Sequence, residues 1–149
     1  MPFRPDRAKP KNMISKIALL ILVLISACSL ALSQDYPSGI VTHVVDGDSF
    51  NVEGFGQVSL AQVNSPEMGT IEGVHAREYS MEQLLNAVVF LDKDDLAGTY
   101  ADGGVPCLVY LSGSGGMPNL NRNFNKMIVD AGYATIKNNT PSEFDPALW

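Results

Sequence analysis

Residues 44–67, with the sequence VVDGDSFNVEGFGQVSLAQVNSPE, constrain the fold of this chain more than any other stretch. Polar and apolar residues alternate through it, and Gly54 and Gly56 mark a tight turn in its middle. This pattern predicts a meander of strands that buries one face and brings two polar turns toward one edge. The oxygen-bearing residues of those turns are Asp46, Asp48, Asn64, Ser65 and Glu67. Oxygen donors converging from separate turns are what a hard cation such as Ca²⁺ binds.

The remainder of the chain adds further strands and two helices to this meander. A β-branched run at 40–45 precedes it, and apolar residues recur at helical spacing in two later segments. The elements predicted after it are a helix at 74–87, a strand at 88–91, a solvated acidic loop at 92–104, a strand at 105–111 and a helix at 119–131. We therefore predict an α+β, mainly β fold: a five-stranded OB-fold barrel with a helix between strands 3 and 4 and a second helix after strand 5.

The first 33 residues have the features of an export signal. A basic stretch precedes an apolar run at 17–27, which is shorter than the roughly 20 residues of a membrane span. Three processing routes stay open: a lipobox at 25–28 that would leave a lipidated Cys28, a signal-peptidase site at 31–33, or an uncleaved anchor. All three predict an extracytoplasmic protein, either secreted or attached to the cell membrane. The true start is Met1 or Met13.

Four segments follow from these boundaries. Residues 1–33 are the signal sequence, residues 34–38 a polar tether, residues 39–137 the folded domain and residues 138–149 a C-terminal tail. The tail is polar except for Phe144, Leu148 and Trp149, which we expect to fold back on the barrel. One cysteine, Cys107, remains in the domain; lying in an apolar run without a second cysteine, it is predicted to be a buried core residue.

Charge argues against nucleic acid as a partner. Beyond Cys28 the chain has fifteen acidic and five basic residues, a net charge of −10. Proteins that bind nucleic acid neutralise phosphates with clustered lysine and arginine, and no basic stripe is present in this sequence. The composition is better suited to an unknown protein or small ligand.

The order Asp-Gly-Asp-Ser, a hairpin, then Val-Asn-Ser-Pro-Glu resembles the staphylococcal nuclease-like (thermonuclease-like) family. The usual family form is Asp-Gly-Asp-Thr followed by Arg-Leu-x-x-x-Asp-(Thr/Ala)-Pro-Glu. The resemblance runs from about Gly39 to about Ile136, and Asn125 matches the family's C-terminal half. It implies an OB-fold and Ca²⁺-dependent hydrolysis of phosphodiester bonds in DNA or RNA.

The resemblance also assigns roles to individual residues. Asp48 and Asn64 occupy the positions of the two side-chain Ca²⁺ ligands, and Ser65 that of the carbonyl ligand. Glu67 matches the family's general base for the attacking water, and Asp46 is a supporting carboxylate beside the metal ligands. The alternatives are structural: Glu67 would bond amides of the following loop, and Asp46 would serve the geometry of its turn. Asn64 stands where the family has aspartate; because its amide carries no charge, we expect a weaker Ca²⁺ site.

Both arginines that neutralise the transition state in the family are absent. Ser59 occupies the first position, and residues 103–108 contain no cation at the second. Each lost charge-assisted contact costs about a hundredfold in rate. Arg77, Lys93 and Arg122 are the candidate replacements.

Two functions are compatible with this sequence. The first is an exported binding module for a protein or small ligand, with phosphodiesterase activity lost or strongly impaired. The alternative is a Ca²⁺-dependent nuclease with an altered phosphate clamp, in which Asp48 and Glu67 keep their roles.

Overall fold

Alternating strands and two helices occupy most of the chain that the computed structural model describes, namely residues 1–2, 35–138 and 141–149. The predicted signal and Cys28 lie outside the described residues. In chain order the elements are β1 (Ser38–Val44), β2 (Ser49–Val52), β3 (Gly56–Leu60), β4 (Val63–Asn64), α1 (Ile71–Leu84), β5 (Val88–Lys93), β6 (Val105–Ser112), β7 (Pro118–Asn123), α2 (Phe124–Asp130) and β8 (Thr135–Ile136). Short 3₁₀ turns lie at Ser114–Gly116 and Pro146–Leu148.

Five of these strands close into a barrel. Strands β1, β2 and β3 form an antiparallel meander, β1 also pairs with β5, and β5 pairs with β6. The parallel pairing of β3 with β6, in which Ser59 lies opposite Pro106, closes the ring. Strand β7 extends the sheet beyond β6, and β4 pairs separately with β8. The predicted α+β, mainly β class and the five-stranded OB-like barrel are confirmed.

The barrel interior is filled by the inward-facing residues of its strands and by α2. Fully buried side chains include Phe50, Val58, Leu91 and Phe124. Cys107 is also fully buried, and burial raises the pKa of its thiol to about 12, so it is a core residue, as predicted. Burial of this apolar surface is the main favourable contribution to folding.

A buried amide holds the parallel seam between β3 and β6. Asn125, at the start of α2, accepts a hydrogen bond from the Val109 amide at 3.0 Å through Oδ1. Its Nδ2 donates to the carbonyls of Ala61 at 2.9 Å and Cys107 at 3.0 Å. Every polar group of this fully buried side chain therefore has a partner, as a buried amide requires.

Helix α1 begins earlier and ends earlier than the sequence pattern indicated. Thr70 is its N-cap and accepts a hydrogen bond from the Gly73 amide at 3.0 Å, so the helix begins at Ile71 rather than at residue 74. It ends at Leu84, and Asn86 takes a positive φ of 65° in the turn before β5. No helix among the described residues is long and apolar enough to cross a membrane.

The prediction of a helix across 119–131 is wrong in its first half. Residues Pro118–Asn123 are strand β7, which pairs with the outer edge of β6, and Leu120 is 58% exposed instead of lining a helix face. Helix α2 begins only at Phe124, where the Asn123 side chain accepts a hydrogen bond from the Lys126 amide. Arg122 consequently lies on a strand and not on a helix.

The C-terminal tail belongs to the same compact unit as the barrel, residues 36–149. The Gln62 side chain donates to the Phe144 carbonyl at 3.2 Å, and Trp149 packs against the core. Leu148 does not fold back, since it is 84% exposed.

Asp94 also attaches the tail to the barrel. The sequence placed this residue in a solvated acidic loop, but it is only 1% exposed. It accepts hydrogen bonds from the Ser142 hydroxyl and the Glu143 amide.

Candidate functional site

The turn between β1 and β2 is clamped against the segment that follows β4. A Cβ atom on Gly47 would lie 2.6 Å from Ser65 Cβ and 2.8 Å from Ala76 Cβ, so only glycine fits there. The Ser80 hydroxyl donates to the Gly47 carbonyl at 2.7 Å. Helix α1 thus presses the two polar turns together, as the sequence predicted for the ends of the meander.

Asp48 is the half-buried carboxylate at the centre of this contact. Its Oδ2 accepts a hydrogen bond from the Ser65 amide at 2.9 Å, and its own amide donates to Asp46 Oδ1 at 3.0 Å. Burial raises the pKa of Asp48 to about 6; the adjacent Asp46 adds to the increase, and the amide and hydroxyl of Ser65 partly oppose it. Two carboxyl groups therefore share a small volume in which only Ser65 stabilises the charge of Asp48.

Asn64 and Ser65 interact with one another. Asn64 Nδ2 donates to the Ser65 carbonyl oxygen at 3.3 Å. This oxygen is the one that the resemblance assigns to the metal, and the side chain at the second ligand position presents an N–H to it. Ca²⁺ takes six to eight oxygen ligands. Within the described part of the chain, no three histidine, cysteine or acidic side chains converge on a metal position. As arranged, this donor set does not fit a complete Ca²⁺ site.

Glu67 is separate from the Asp46–Asp48 pair. Its side chain is exposed, and the residue does not line the cavity next to that pair. Its backbone carbonyl accepts from the Thr70 hydroxyl at 2.7 Å, and a side chain at Gly73 would collide with the same carbonyl. The main chain at Glu67 thus helps to begin α1, whereas the carboxylate is directed to solvent.

A cavity of about 400 Å³ opens beside the aspartates. We call it the corner cavity. Its polar lining comes from the β1–β2 turn, from β2, β3 and β4, from the β5–β6 loop and from the residue after β8. The polar and charged lining residues are Asp46, Asp48, Ser49, Ser59, Asn64, Tyr100, Asp102 and Lys137. It therefore combines groups that are distant in sequence.

The two positions at which the resembled family has arginines hold small or apolar residues in this chain. Ser59 is 4% exposed, its hydroxyl oxygen lies 3.4 Å from that of Ser49, and Gly104 packs directly on it. Val105 lies opposite Val58 in the parallel seam. No guanidinium among the described residues lines the corner cavity.

The three candidate replacement cations lie elsewhere. The Arg77 Nε donates to the Val44 carbonyl at 3.2 Å, and Lys93 forms an exposed ion pair with Asp95 at 3.6 Å. Arg122 is exposed on β7, and none of the three lines the corner cavity. These replacements are not supplied by the structure.

Lys137 is the cation that sequence reasoning missed. It lines the corner cavity, with its Nζ 5.8 Å from the centroid of the Tyr100 ring. Its amide donates to the Gln62 carbonyl at 2.8 Å, directly after the two-residue pairing of β4 with β8. Strand β8 has two residues, which is too short to show an alternating pattern. The apolar Ile136 next to Lys137 was the one local signal that this lysine follows a strand.

Comparison with known proteins adds no relative to this description. The chain matches no model of a known protein family, and a search of curated proteins gives no significant match. The barrel and the corner cavity are therefore the basis for functional inference.

Proposed function

We propose that this protein is an exported binding module on a thermonuclease-like OB barrel, with phosphodiesterase activity lost or strongly impaired. The observation that carries the proposal is the contact between Asn64 Nδ2 and the Ser65 carbonyl. An N–H directed at that oxygen replaces a cation as its partner. A site organised in this way needs no divalent ion to satisfy its polar groups.

The charges around the corner cavity support the same proposal. Asp46, Asp48 and Asp102 line it, and Lys137 is the one cationic side chain among its described lining residues. Phosphoryl transfer requires positive groups that stabilise negative charge developing on the phosphate. An excess of carboxylates would instead repel a polyanion, which agrees with the net charge of −10 beyond Cys28.

Export is the part of the proposal that rests on sequence. The basic stretch, the apolar run at 17–27 and the cysteine at its end support secretion or lipid attachment to the cell membrane. These residues lie outside those that the structure describes. Mass spectrometry of the mature protein would separate the routes: a diacylated N-terminal Cys28 indicates the lipobox, and an N-terminal Gln34 indicates signal peptidase.

Calorimetric titration with Ca²⁺ tests the metal site, with Asn64→Asp as the informative variant. We expect weak binding by the natural protein and about tenfold tighter binding by Asn64→Asp, because the substitution restores a charged ligand and removes the N–H facing Ser65. Asn121→Asp, which adds the same charge on exposed β7, is the matched control. Micromolar affinity in the natural protein would contradict the proposal.

A nuclease assay separates the two candidate functions. We expect no hydrolysis of single-stranded DNA or RNA in millimolar Ca²⁺. The alternative, a Ca²⁺-dependent nuclease with an altered clamp, is favoured by the retained contact between Asp48 and the Ser65 amide. It predicts cleavage that Glu67→Ala abolishes. If the scaffold is intact, the triple variant Ser59→Arg, Asn64→Asp, Val105→Arg should recover measurable cleavage.

A further inference from the structure

The corner cavity carries opposite charges that do not pair with each other. Asp46 and Asp48 come from the β1–β2 turn, Asp102 from the β5–β6 loop, and Lys137 follows β8. Asp102 already accepts a hydrogen bond from the Gly104 amide at 3.0 Å. The ion pairs within 4.0 Å among residues 35–138 and 141–149 are Lys93–Asp95 and Lys126–Asp130. The Lys137 ammonium and the three carboxylates therefore line one cavity without a direct ion pair.

Main-chain hydrogen bonds fix both sides of this arrangement. Asp48 is held by the Ser65 amide, and the Lys137 backbone is held by the Gln62 carbonyl. The Lys137 ammonium lies near the face of Tyr100, at a distance where a cation is attracted to an aromatic ring. Because each charge has its own support, the side chains need not collapse onto one another when the cavity is free of ligand.

The floor of the cavity is formed by small polar side chains in paired strands. Ser49 and Ser59 are each 4% exposed and lie opposite one another in the β2–β3 pairing. Their hydroxyl groups can donate or accept, and their small size leaves space that a longer side chain at residue 59 would fill. Leu60 and Val63 add an apolar section to the same lining. The volume of about 400 Å³ lies within the range of small-molecule sites.

We propose that the corner cavity binds a small zwitterion, a molecule of the amino acid class with an ammonium group and a carboxylate. The ammonium group lies against Asp46 and Asp48, the carboxylate against Lys137, and the hydrocarbon portion against Leu60 and Val63. The inference rests on the proposed function, since it takes the cavity to be used for binding rather than for phosphodiester hydrolysis. It names the ligand class of that same site.

The test compares three compounds of equal chain length by calorimetry with the full folded domain at neutral pH and low salt. The dipolar probe is 5-aminopentanoate, and pentylamine and pentanoate each carry one of its two charged groups. We expect the dipolar compound to bind about tenfold more tightly than pentylamine, and pentanoate to bind most weakly, because two charge contacts add in a partly desolvated site.

Variants assign each end of the ligand. Lys137→Met should remove the advantage of 5-aminopentanoate over pentylamine, whereas Lys93→Met, the same substitution outside the cavity, should leave it unchanged. Asp46→Asn combined with Asp48→Asn should weaken binding of both amines about tenfold or more. Thermal unfolding of each variant verifies that it is folded; Ser59→Leu, which fills the floor sterically without altering charge, provides a second loss-of-binding test.

Equal binding of pentylamine and 5-aminopentanoate, with no effect of Lys137→Met, would overturn the zwitterion proposal. Absence of binding heat for all three compounds at millimolar concentration would overturn it as well. Cleavage of DNA or RNA by the same preparation would overturn the proposed function whatever the titration gives. Failure of the probe to bind to a protein that also lacks nuclease activity would overturn this inference alone.

Discussion

Two aspartates in this domain, Asp94 and Asp48, are removed from solvent in contrasting ways. Asp94 is 1% exposed and accepts four hydrogen bonds: two from amides of its own loop, one from the Ser142 hydroxyl and one from the Glu143 amide. Those donors compensate for the loss of water around its charge. Asp94 therefore joins the β5–β6 loop to the C-terminal tail.

Asp48 has much less support. The amide and the hydroxyl of Ser65 support its charge, and a second carboxylate, Asp46, lies beside it. Its raised pKa of about 6 reflects that imbalance between burial and compensation. A carboxylate that lines a cavity and has donors from one residue only can gain from binding a cationic group, whereas one with four donors has little to gain. The comparison separates a structural acid from one available to a ligand.

The largest expected effect is that of Asp94→Ala. Removing this carboxylate leaves buried donors without an acceptor and releases the tail, so we expect a loss of about 3 kcal/mol in the free energy of unfolding. Urea denaturation measures it, with Asp95→Ala as the exposed neighbouring control, expected to cost less than about 0.5 kcal/mol. A similar small cost for both variants would remove the distinction between the two acidic sites.

Asp48→Asn should increase the free energy of unfolding, whereas Asp94→Ala should decrease it. The amide keeps an oxygen for the Ser65 N–H, can donate to Asp46 and carries no charge to desolvate. We expect a gain of about 2 kcal/mol in the free energy of unfolding at pH 7. Destabilisation by this substitution, measured in the same urea experiment, would mean that Asp48 is as well supported as Asp94.

The pH dependence of stability gives a smaller effect through the same residue. Because the folded-state pKa of Asp48 is raised from 3.8 to about 6, the folded protein binds the proton more tightly than the unfolded chain does. The resulting stabilisation is complete below pH 3.8 and is lost as the pH rises through about 6. We expect the natural protein to gain about 1 kcal/mol relative to Asp48→Asn between pH 7 and pH 5.

Taking the difference from Asp48→Asn at each pH isolates this contribution. Burial also raises the pKa of Asp92, which titrates in the same direction in both proteins and cancels in the comparison. A difference that stays flat from pH 7 to pH 5, or that grows with rising pH, would contradict the assignment of the shift to Asp48.

The sequence was most informative where local pattern and tertiary structure agree. Alternation and glycine turns predicted the meander and the convergence of the turns at Asp48 and Ser65, and the apolar run around Cys107 predicted a core strand. Residues 118–123 were misassigned because Leu120 and Phe124 have helical spacing, yet the free edge of β6 pairs with this segment. Only the tertiary fold decides between those outcomes.

The components of the corner cavity and the burial of Asp94 were harder to predict. Lys137 reaches it through a two-residue strand, and Asp94 is buried by residues 48 or 49 positions further along the chain. Contacts between distant segments leave no periodic pattern in the sequence. The acidic loop was therefore predicted to be solvated, and Arg77, Lys93 and Arg122 were named as the candidate cations. The family motif indicated the two polar turns, whereas the cavity depends on contacts between segments that are distant in sequence.

The buried amide of Asn125 also has a consequence for how the chain matures. It bonds to Ala61, 64 residues earlier, across the parallel seam. During synthesis from the N-terminus, the first three strands are made long before this side chain is. The parallel seam between β3 and β6 therefore gains its buried hydrogen bonds only after α2 has been synthesised.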